Sequence, residues 1–125
     1  MKKLFRRLFP SKEMRAYRKM VKRHRKELIK FDKESADWDH CYLHEYVVMK
    51  LKHMYEYYSS GNNVWLWQTD ETGNIVRETL KHAIDLADAI ENCWDDDIKN
   101  GWDRETELYK EFYSYIGEYI QWWWD

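Results

Sequence analysis

Residues 14–31 read MRAYRKMVKRHRKELIKF. Met14, Tyr17, Val21, His24, Leu28 and Phe31 recur there at spacings of 3, 4, 3, 4 and 3. That spacing is the a/d seam of an α-helix. Arg and Lys fill most positions between, so the helix is a narrow apolar stripe on a cationic rod. Such a helix buries its stripe on the rest of the chain, on a second copy or on a partner. Ser11 is placed to cap it, after Pro10. Earlier still, Leu4, Phe5, Leu8 and Phe9 share one helical stripe among basic neighbours.

The same rhythm returns three times. Leu43, Val47, Leu51, Met54 and Tyr58, broadened by Trp38, Tyr42, Tyr46 and Tyr55, predict a helix. It starts in Ser35-Ala-Asp-Trp-Asp and breaks at Ser59-Ser-Gly-Asn-Asn. Val76, Leu80, Ala83, Ala87, Ile90 and Trp94 predict a third helix, begun at Thr72 or Asn74, whose alanines imply close approach of a neighbour. Tyr109, Phe112, Ile116, Tyr119 and Trp123 predict a fourth, from Asp103 to the end. Trp123 is the expected core member of Trp122-Trp123-Trp124, because successive helical positions turn by about 100° and three cannot share a narrow stripe. Val64-Trp-Leu-Trp-Gln68 is strand-like and reads as a short extended loop. The expected fold is all-α: a three- or four-helix antiparallel bundle with a basic N-terminal helix and a short extended Trp-containing loop. No internal repeat is read. Residues 1–33 are expected to form a basic helical arm and residues 34–125 the bundle domain.

The composition agrees with this. A chain of 125 residues can bury one sizeable core. An aromatic content of 18% argues against disorder, and one Pro with four Gly argues against a turn-rich β-sandwich. No apolar run approaches the roughly 20 residues of a membrane span. The basic N-terminus lacks the continuous apolar run of a secretory signal. Cys41 and Cys93 fall in helical patterns and read as buried thiols rather than a bridge, which places the protein in a reducing, intracellular compartment.

The net charge of −2 hides an asymmetry. Residues 1–30 carry 13 Lys/Arg and 2 Asp/Glu, a balance of +11, and the remainder carries 8 and 21, a balance of −13. This split is a sign of nucleic-acid or membrane contact, or of a basic arm beside an acidic body. Arg15, Arg18, Lys19, Lys22, Arg23, Arg25 and Lys26 are the candidate phosphate contacts. The same cations suit anionic lipid, with Leu4, Phe5, Leu8 and Phe9 inserted. They also suit docking on the chain's own acidic helices or on a second copy. No recognised DNA- or RNA-binding motif is present, so backbone charge rather than base sequence would be read.

Catalytic signals are few. His40 and His44 share a helix face with Asp37 one turn earlier, and His82, Asp85 and Asp88, followed by Glu91, line another. A metal or nucleotide site on these residues is the alternative function, with a phosphohydrolase as its enzymatic form. An all-α nucleoside triphosphate pyrophosphatase would need paired carboxylates on two helices; Asp85, Asp88 and Glu91 offer one half, while the facing helix has Glu45 alone with Glu56 three turns on, so the other half is absent. There is no H-E-x-x-H, E-x-x-H, Cys-x-x-Cys, phosphate loop or nucleophile elbow. No catalytic residue, metal or cofactor is assigned. The surplus aromatics Trp65, Trp67, Trp122 and Trp124 read as helix-end packing or as a protein-recognition surface.

Trp38-Asp39 with Tyr42-Leu43, Lys50-Leu-Lys-His-Met54 with Tyr57-Tyr58, Ile75-Val-Arg-Glu78, Ala83-Ile-Asp-Leu-Ala-Asp88 and Trp123-Trp-Asp125 together resemble small proteins of tailed bacteriophages. The resemblance covers about residues 36–125. It implies a phage or prophage origin and a place in the host cytoplasm or the virion. Virion accessories and inhibitors of host defence are common among such proteins. The leading expectation is a non-enzymatic binding protein of that kind, working through protein–protein contact or polyanion binding.

Overall fold

A computed structural model describes residues 12–35, 38–60, 70–96 and 98–123. Four α-helices run through them: α1 (Lys12–Glu34), α2 (His40–Ser59), α3 (Asp70–Asp96) and α4 (Gly101–Tyr119), the last followed by a 3-10 turn at Ile120–Trp122. No strand occurs among the described residues. The fold is all-α: α1 packs on α2, and α3 packs on α4. Among the same residues, no helix is long and apolar enough to cross a membrane. The stripe at residues 4–9, the cap at Ser11 and the extended loop at 64–68 lie outside the described residues.

The chain divides into two compact units, Met1–Trp67 and Gln68–Asp125. In the first unit the α1 seam finds its partners on α2. Tyr17 meets Tyr57 edge-on at 5.8 Å, His24 stacks on His53, and Phe31 lies about 6 Å from the rings of Tyr42 and Tyr46. Early α1 therefore meets late α2, and the pair is antiparallel. Met20, Leu51, His53 and Tyr58 are buried between and beside the helices, while the α1 seam itself is half-buried.

Four details of α2 depart from the sequence reading. The helix begins at His40 rather than near Ser35, because Asp39 is the N-cap and its carboxylate accepts the Cys41 N–H at 2.8 Å. Trp38 precedes that cap and is 89% exposed, so it does not widen the stripe. Leu43 is 65% exposed, while Tyr42 and Tyr46 take the contact with Phe31. Cys41 is exposed and Cys93 buried, and neither is disulfide-bonded, so the expectation of a buried thiol holds for Cys93 alone.

In the second unit the α3 stripe is buried at Val76, Leu80, Ala83, Ala87 and Ile90. Thr79, Ile84, Leu86 and Cys93 are buried as well, making the face broader than one seam. Leu108 and Phe112 are buried on α4. Trp94, the expected end of the stripe, is exposed. Its indole lies over Gly101, where an added Cβ would clash with the ring, and its Nε1–H donates to Glu105. Trp123 is buried and Trp122 exposed, and Trp124 lies outside the described residues. The Trp123 indole N–H donates to Thr79 Oγ1 at 2.8 Å, and that hydroxyl donates to the Ile75 carbonyl at 2.7 Å. The 3-10 turn after α4 is thereby tied to α3.

Candidate functional site

All seven cations expected to contact a polyanion are on α1, and all are exposed. The 100° helical step sorts them. Arg15, Arg18, Lys19, Lys22 and Lys26 fall within an arc of about 100°, opposite the seam, over roughly 17 Å of axis. Arg25 and Arg23 lie on the two flanks of that arc. Among the described residues, Arg23 is the α1 cation that forms ion pairs: with Glu56 of α2, and at 3.6 Å with Glu27 of its own helix. The five cations of the arc are a continuous positive strip.

Arg23 belongs to a second constellation that the sequence reading did not find. The His24 and His53 rings stack with centroids 3.8 Å apart and planes within 5°. His24 Nε2 lies 2.9 Å from Glu56 Oε2, and His53 Nε2 lies 2.6 Å from Glu27 Oε2. An ionised carboxylate only accepts, so each Nε2–H donates. The imidazoles are inside and the carboxylates at the rim. Arg23, and then His24, hold the Glu56 carboxyl below its usual range, and Glu56 in turn raises the Arg23 guanidinium. His53 Nδ1 is buried with no hydrogen-bond partner.

The signal that could have revealed this cluster is an internal repeat, contrary to expectation. Residues 17–27 read YRKMVKRHRKE and residues 46–56 read YVVMKLKHMYE. Tyr, Met, a basic residue, His and Glu recur at the same offsets. His24 was legible as a seam member; its partner was not, because a His-x-x-Glu pair is common and means little until two of them cross.

The groups considered for metal or phosphate chemistry are differently placed. His82 is exposed and its ring leans on Tyr115 at 4.4 Å. Asp85 pairs with Lys81 at 2.8 Å along α3, Asp88 is half-buried, and Glu45 and Glu91 are exposed. Among the described residues, the side chains close enough to share an ion are Asp39, His40 and Cys41, all at the solvent-facing start of α2. Asp37 lies outside the described residues, as do Trp65 and Trp67. Large apolar side chains are instead exposed at the α3–α4 turn, where Ile98 is 79% and Trp102 72% exposed beside Trp94.

No protein family, curated protein or solved structure matches the chain.

Proposed function

We propose that this is a non-enzymatic binding protein that takes a polyanion, a nucleic-acid backbone, on the α1 strip of Arg15, Arg18, Lys19, Lys22 and Lys26. One observation carries the reading: five exposed cations share the face opposite the seam, while the carboxylates of the α1–α2 join are engaged by Arg23 and the two histidines. Cations in such a strip displace condensed counterions and read charge rather than bases. The resemblance to small tailed-bacteriophage proteins fits a phage-encoded accessory or host-defence inhibitor, acting in the host cytoplasm or the virion.

Fluorescence anisotropy on a short duplex tests this at two salt concentrations. With five phosphates contacted, log K falls against log salt with a slope of about −4 to −5, and sequence matters little. R15E/K22E/K26E weakens binding to every sequence and flattens the slope. Absence of binding at low salt, or a slope unchanged in the triple variant, rejects the proposal. A second reading, contact with a protein partner, is favoured by the exposed Trp94, Ile98 and Trp102 at the α3–α4 turn. Loss of a co-purifying partner in W102E, with duplex binding absent, would favour it.

A further inference from the structure

The His24–His53 stack joins two helices through rings that each keep a second nitrogen able to take a proton. Histidine's ordinary titration lies between about pH 5 and 8. The charged and titratable groups facing the stack are Arg23 and Glu27 from α1 and Glu56 from α2, with Tyr17 and Tyr57 meeting edge-on further along the pair. With both rings neutral, one guanidinium and two carboxylates leave the layer at −1 (1 − 2). One added proton balances it, and the protonated ring keeps its carboxylate.

A second proton meets a different situation. The layer becomes +1, and two like charges face each other across 3.8 Å of ring-to-ring contact. His53 must then carry an N–H at Nδ1, where the structure offers a buried position with no acceptor. Neither cost exists once the helices separate and water reaches both rings. We propose that the α1–α2 pair is a proton-operated latch: it holds with at most one proton on the His24–His53 stack, and the second proton parts the helices. The latch is independent of the polyanion reading, since it concerns the opposite face of α1. Opening would expose the apolar seam of α1, opposite its cationic strip.

Hydrogen exchange on the full chain, from pH 7.5 to 5 and corrected for intrinsic rates, tests the latch. Protection in residues 12–34 and 40–59 falls about tenfold or more, while residues 76–112 keep theirs. H24Q has one ring to protonate, and H24F replaces the upper ring by a neutral one. Either variant keeps protection flat over that range. Histidine side-chain NMR of the wild-type chain gives a separate readout, in which loss of protection tracks the second of two ring protonations. Flat protection in the wild-type chain overturns the proposal. So does a pH-dependent loss that persists in the variants, or that follows the carboxylates rather than the rings.

Discussion

Thr79 holds Trp123 in place. Its hydroxyl is buried in α3, receives the indole N–H of Trp123 and passes its own proton to the Ile75 carbonyl. Replacing it by Val keeps the shape and removes the acceptor, leaving a buried N–H unpaired. T79V should cost about 1–3 kcal/mol in denaturant unfolding. In a W123F background the same change should cost less than about 1 kcal/mol, since no donor is left stranded. Equal penalties in both backgrounds would mean that the bond contributes nothing. Trp123 was legible because it continues a 3-4 seam through Phe112, Ile116 and Tyr119. Thr79 was not, because a hydroxyl inside a helix follows no periodicity and its partner is set by tertiary register. The cysteines show the same limit: Cys93 sits one turn from Ile90 on a buried face, whereas Cys41 shares the pattern of α2 but occupies its open first turn.

Helix existence was legible at the level of elements; helix ends and stripe widths were less so. Each seam came from spacing alone, which packing then uses. The ends depend on which polar residue takes the cap, and Asp39 takes it by accepting the Cys41 N–H. The two glycines of α4 separate propensity from packing. Nothing lies near the place where a Cβ would stand at Gly117, which is exposed within the helix. G117A should stabilise by about 0.5–1 kcal/mol, the helix-propensity difference. Gly101 is buried beneath the Trp94 indole. G101A should destabilise by about 1–3 kcal/mol, the usual range for overpacking, by pushing the ring off the helix start and away from Glu105. Thermal melts of the two variants should shift in opposite directions. A shared direction would show that helix propensity alone governs both sites.

For the whole molecule, the charge split was legible, but the use made of it was not. Sequence shows +11 beside −13; only the structure shows that α1 gives Arg23 to Glu56 and keeps the strip from Arg15 to Lys26 exposed. The alkaline side of the stability curve follows from α4. Burial raises the Tyr113 hydroxyl above its ordinary value, and Tyr115 is raised by burial and then by Tyr119 and Glu118. Each phenol is neutral when protonated, so a raised folded value means stability that is complete below about pH 10 and lost as pH climbs through the folded value. Melting temperature should therefore fall above pH 10, and less steeply in Y113F/Y115F. An identical decline in that double variant would place the loss elsewhere. The α1–α2 join has one further property. His24 pairs with Glu56 and His53 with Glu27, so each His-x-x-Glu pair gives the other the contact it receives. Such reciprocal contacts fix direction and register, yet they do not distinguish α1 meeting α2 from α1 meeting its own copy on another molecule. What makes each helix choose its neighbour is the short tether between Glu34 and His40, which holds the two at an effective concentration no second molecule matches in dilute solution.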